Sequence, residues 1–183
     1  MSKQPDWLTV EQREAPLIVS FPHTGTDIPA DIEARCVSPW LARKDAGWWI
    51  DQLCSFAREL DATIVHTRVS RTVIDVNRDP SGASSCAAAL QDDVAVVAAA
   101  SPFTCVLNGR FKGGYITRAY GAPANGIHAV QMELACRGYM HEPIGPVSEG
   151  SWPTPFDPEY AAPIRNTLRD ILQVCLRFAK EAA

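Results

Sequence analysis

The sequence predicts a single α/β domain over residues 1–183, with a mostly parallel or mixed central sheet flanked by helices. Three observations predict it. Short apolar runs at residues 16–21 and 62–66 have the length and β-branched content of buried strands. Stretches with helical character lie between and beyond them, at the Ser38-Pro39 start, in the alanine-rich run 86–100 and at the C-terminus. The 183 residues are enough for one real core and not obviously for two.

Taken in order, residues 16–21 (Pro-Leu-Ile-Val-Ser-Phe) form a strand that ends in Pro22-His23-Thr24-Gly25. Ligands in open α/β sheets sit at strand ends, so His23 is either a metal ligand or a hydrogen-bonded turn residue. A short helix then leads to Cys36. Ser38 and Pro39 open the next helix as cap and first residue. Trp49, Leu53, Phe56 and Leu60 extend one apolar stripe along it. Asp45 and Asp51 lie off that stripe, where solvation explains them.

Residues 62–66 and 72–76 read as two strands. Arg71 and Arg78 bracket the second, which carries Asp75 and Asn77. Arginines at strand ends point to an anion site or to salt bridges within the fold. The run 86–100 is helical by propensity and closed by Ser101-Pro102. A short strand at 104–107 feeds the loop Asn108-Gly109-Arg110-Phe111-Lys112-Gly113-Gly114-Tyr115-Ile116-Thr117-Arg118. Glycines there allow a close backbone approach, and Arg110, Lys112 and Arg118 supply donors for an anion.

Residues 127–134 read as a buried strand with Ile127, Ala129, Gln131 and Glu133 on one face. Glu133 is then a general base in apolar surroundings or a charge-paired structural residue. Residues 138–156, rich in proline and glycine, are expected to run over the surface. A C-terminal helix starts at Asp157-Pro158, with a wide apolar face from Ala161 to Phe178.

The totals exclude several classes. A net charge of −4 argues against nucleic-acid binding. No apolar run reaches spanning length, and the first residues show no secretory pattern, so a cytoplasmic protein without membrane contact is expected. Six cysteines stand singly without Cys-x-x-Cys, so buried free thiols are expected rather than a zinc ribbon or redox motif.

Four stretches together resemble the N-formylglutamate amidohydrolase family: Ser20-Phe21-Pro22-His23-Thr24-Gly25, Ser70-Arg71-Thr72-Val73-Ile74-Asp75-Val76-Asn77-Arg78, the loop from Asn108 to Arg118, and His128-Ala129-Val130-Gln131-Met132-Glu133-Leu134. They occur in the family's order over nearly the whole chain. The resemblance implies a fold related to zinc-dependent exopeptidases, shortened in the middle. It also implies hydrolysis of N-formyl-L-glutamate, a small acidic N-acyl amino acid, to formate and glutamate in histidine degradation.

In that reading a divalent metal, zinc, is held by His23 and polarises the formyl carbonyl, and Glu133 is the catalytic base. Arg71, Asn77, Arg78, Asn108, Arg110 and Arg118 hold the substrate carboxylates. Two departures stand out. The family's long central segment, with a Trp/Tyr-Asp-x-His-Ser strand end and a second ligand histidine, is replaced by Gly82-Ala83-Ser84 running into Ser85-Cys86. The acid often found before the tryptophan of the first amphipathic helix is Gly47, with Asp45 the nearest substitute metal ligand. A catalytic zinc usually has three protein ligands, and His66 and His141 join His23 only by rearrangement. Loss of the segment is also expected to leave the sheet thin.

Overall fold

The apolar run after Pro16 does pair as a strand, and its partner is the run after Ala62. The structure, a computed structural model, describes residues 5–77, 86–109 and 113–181. Among them is one three-stranded mixed sheet, ordered β1 (Leu8–Glu11), β3 (Thr63–Thr67), β2 (Ile18–Phe21). β2 lies parallel to β3, with Ile18 opposite Thr63 and Phe21 opposite His66. β1, which the residue pattern does not announce, pairs antiparallel along the other side of β3, Leu8 against Thr67.

Parallel strands need a long crossover. Here it runs through α1 (Ala30–Glu33), α2 (Pro39–Arg43), α3 (Ile50–Leu53) and a 3-10 turn at Ser55–Leu60. Ser38 caps α2 as expected, its hydroxyl accepting from the Leu41 N–H at 3.3 Å. The apolar stripe from Trp49 to Leu60 is not one helix: Trp49 adopts a left-handed φ of 62° just before α3, and α3 gives way to the 3-10 turn at Cys54. Indole hydrogen bonds anchor the tryptophans around its start. Trp49 donates to Thr154 O at 2.9 Å, while Trp48 and Trp152 both donate to Lys44 O.

The same bonds correct the expectation for residues 138–156. Far from running over the surface throughout, this stretch buries Tyr139 and Met140 and lays Trp152 against the core. That core is Phe21, Leu53, Phe56, Ala62 and Ile64 under the first half of α6 (Pro158–Glu181), through Ala161, Ile164 and Leu168. The second half of α6 packs Ile171 and Val174 on Leu90 and Val94 of α4 (Ala88–Ala100).

Three expected strands are absent. Residues 72–76 turn back on Ser70, which accepts from the Val73 and Ile74 N–H groups. Residues 104–107 are irregular and leave Val106 exposed. In 127–134 only Ile127 forms a bridge, to Ala122. β-Branched content or alternation marks a strand only when a neighbour supplies the ladder, and no described strand lies beside these runs. No described helix is long and apolar enough to cross a membrane.

Candidate functional site

The carboxyl ends of β2 and β3 lie side by side, and each delivers one polar side chain to the same place. After β2 the chain turns at residues 22–25 and passes so close to β3's continuation that a Cβ on Gly25 would sit 2.3 Å from Val69 O. Only glycine fits there without displacement. His23 is thereby set at the strand end. After β3 the turn around Ser70 brings Asp75 back to meet it.

Asp75 is the centre of this half of the site. Its Oδ1 lies 2.8 Å from His23 Nε2 and accepts from the Asn77 N–H at 3.0 Å. Its Oδ2 accepts from Arg71 Nη2 at 2.9 Å. The Asp75 side chain is 13% exposed. Burial pushes its carboxyl up, but the His23 bond, the Asn77 N–H and the Arg71 guanidinium together hold it well below the usual carboxylate range. A cavity of about 490 Å³ opens beside it, lined by Leu41, Ala42, Asp45, Arg71, Thr72 and Asp75.

A second cluster grows from Asn77. Its backbone carbonyl accepts from Tyr115 N and its side-chain Oδ1 from Ile116 N at 2.9 Å, which caps the first turn of α5 (Tyr115–Tyr120). Asn77 Nδ2 donates to Gln131 Oε1 at 3.3 Å, and the Gly114 N–H donates to the same oxygen at 2.5 Å. Gln131 Nε2 in turn donates to Glu133 Oε1 at 2.5 Å. One run of hydrogen bonds therefore joins His23, Asp75, Asn77, Gln131 and Glu133.

Gly114 is as constrained as Gly25: a Cβ there would fall 2.3 Å from Asn77 Oδ1. Gly114→Ala is expected to destabilise the protein by about 1–3 kcal/mol, as over-packing does. It should also free the first turn of α5, seen as faster amide exchange at Ile116 than at Thr167 in α6.

The residues expected from the sequence fall out as follows. His23, Arg71 and Asn77 meet at Asp75. Glu133 belongs to the adjoining cluster, but it is exposed rather than enclosed by apolar side chains, and no described strand lies beside its segment. Arg118 lies near Gly113, whose carbonyl accepts from its Nη1 at 2.6 Å. Asn108 stands apart, its Nδ2 donating to Gln91 of α4 at 2.9 Å. Asp45 shares the cavity, yet its side chain is 84% exposed and lies 3.5 Å from Lys44 Nζ. Arg78, Arg110 and Lys112 lie outside the described residues.

Two members were missed as site residues, Asp75 and Gln131. Both signals were in the sequence: Asp75 sits between Arg71 and Asn77, and Gln131 shares the alternating face of Glu133.

As they stand, the described donors do not make a divalent-metal site. No group of three His, Cys, Asp or Glu side chains that could hold an ion occurs among the described residues. His23 and Asp75 are engaged with each other, and the Arg71 cation takes the second Asp75 oxygen. Gly47, at the position expected to bear an acid, donates its N–H to His23 O at 2.7 Å. His66 stands in β3 opposite Thr9 and Phe21, and His141 lies 3.3 Å from Asp157 at the start of α6.

The family model for N-formylglutamate amidohydrolase matches residues 15–85 and 81–140. An N-formylglutamate deformylase of Pseudomonas putida is 27% identical over 267 aligned positions, covering 95% of this chain and 97% of that protein. One from Pseudomonas aeruginosa is 26% identical with the same coverage. An alignment of 267 positions against 183 residues leaves at least 84 positions of the relative facing no residue of this chain. The two matched pieces meet at residues 81–85, where the sequence departs from the family pattern. No solved structure matches. With the family's model matched on both sides of that junction, the chain belongs to the N-formylglutamate amidohydrolase family.

Proposed function

We propose that this chain binds N-formyl-L-glutamate, or a close acidic N-acyl amino acid, and that it is a shortened, catalytically impaired member of a lineage that hydrolyses that substrate to formate and L-glutamate in the cytoplasm. The observation that carries the reading is the state of Asp75. Its oxygens are already taken by His23, Arg71 and the Asn77 N–H, in a place where a zinc enzyme would need free donors. Arg71, Asn77 and Arg118, with Arg78, Arg110 and Asn108, are the groups assigned to the substrate carboxylates; guanidinium forks and amide donors suit them.

A second reading, the active hydrolase, is favoured by the orientation of Glu133. Gln131 holds one of its oxygens, leaving the other to take a proton from an attacking water and return it to the leaving amine. Titration calorimetry with L-glutamate, zinc analysis of purified protein and an assay for released formate separate the two. The expected result is glutamate binding, zinc at background and little or no formate. Close to one tight zinc per chain, lost in His23→Ala, together with formate release abolished in Glu133→Gln, would establish the hydrolase instead. Failure to bind either L-glutamate or N-formyl-L-glutamate would remove both readings.

A further inference from the structure

We infer that Gln131 is a positioning residue, a neutral amide that locks the substrate-side backbone at Gly114, the Asn77 side chain and the Glu133 carboxylate into one frame. The inference rests on the reading that Asn77 and Glu133 face the substrate. Three contacts define the orientation of the Gln131 amide without ambiguity. Its carbonyl end meets two donors, Gly114 N at 2.5 Å and Asn77 Nδ2 at 3.3 Å. Its amino end meets an acceptor, Glu133 Oε1, at 2.5 Å. Flipping the amide would set an NH₂ against two donors and an oxygen against a carboxylate, so a single orientation satisfies all three.

The chemistry also says why glutamine stands here. A hydrocarbon of the same size would leave the Gly114 N–H and the Asn77 amide without their acceptor. A glutamate would keep both of those bonds but place a second carboxylate against Glu133. The three partners come from separate places in the chain: the turn after β3, the glycine loop before α5, and the irregular segment after Ile127. Among the described residues that last segment shows no strand, only the Ile127 bridge. The Gln131 side chain ties this segment to the Gly114 backbone and the Asn77 side chain.

The test compares wild type, Gln131→Leu, Gln131→Glu, Glu133→Gln and the swap Gln131→Glu/Glu133→Gln. Two readouts are taken: the Gly114 amide resonance without ligand, and calorimetric affinity for L-glutamate. The Gly114 proton should move upfield in Gln131→Leu and stay near its wild-type position in both variants that carry Gln131→Glu. Affinity should fall about tenfold in Gln131→Leu and in Gln131→Glu, and return to within about threefold in the swap, where an amide again faces a carboxylate. A general loss of packing would not be rescued by exchanging the two side chains.

An unmoved Gly114 resonance in Gln131→Leu would overturn the inference whatever the affinities are. Wild-type binding with Gln131→Leu unchanged in affinity would overturn it as well. If Gly114 responds as expected but wild type itself binds no L-glutamate or N-formyl-L-glutamate, the proposed function falls and the frame stands. Should Gln131→Leu fail to fold, Gln131→Glu and its rescue by the swap decide the matter alone.

Discussion

Phe56→Ala is expected to lower the unfolding free energy by about 3–5 kcal/mol, the range for removing a large buried aromatic side chain. Phe56 is completely buried, in the 3-10 turn between the crossover helices and β3. α6 covers it with cations: the guanidinium carbons of Arg165 and Arg169 lie 5.2 and 4.7 Å from the ring centroid. Those cations are held in turn. Arg165 donates to Gln52 O, Leu53 O and Ser55 Oγ, and Arg169 to Glu59 at 2.8 Å. Losing the ring therefore opens a cavity and removes the surface on which both arginines lie. Urea unfolding reads the effect, and Phe56→Leu should recover more than half of it. A loss under about 1 kcal/mol would mean that α6 does not seat on this ring.

Asp75→Ala should cost about 2–4 kcal/mol and loosen His23, since it leaves Arg71, His23 and the Asn77 N–H without their shared acceptor. Asp75→Asn should cost less, because it keeps the shape and one acceptor oxygen. The charge has a pH signature. The folded-state pKa of Asp75 is depressed, so its contribution is complete above the ordinary aspartate value near 4. Below about pH 4 the unfolded chain takes up the proton first, and stability declines progressively with further acidification. Asp75→Asn should flatten that acid limb relative to wild type. An acid limb of unchanged slope in the variant would remove Asp75 as its source.

Local signals in the sequence identified the elements whose formation depends on few partners. The apolar runs after Pro16 and Ala62, the Ser38 cap, the alanine-rich helix and the striped C-terminal helix all appear in the structure near their expected places. The site was legible in part. His23 does stand at a strand end, and the motif that carries Arg71 and Asn77 does assemble around one point. What the pattern could not supply was the partner of each polar group. Asp75, embedded in a β-branched run, was read as a strand residue, yet it receives a histidine 52 positions away.

Residues 72–76 have the β-branched content of a strand and 127–134 its alternation, and no described strand lies beside them. Side-chain period is a property of the local chain, whereas a ladder needs a second chain segment at the right distance. So the sequence by itself determined the family, the strands β2 and β3, and the two long helices. Only the tertiary structure decided that His23 is spent on Asp75, that Glu133 is exposed, and that Gln131 ties the two halves of the site together. Those outcomes depend on which donors and acceptors are left facing one another once the core has closed, and no local pattern encodes that.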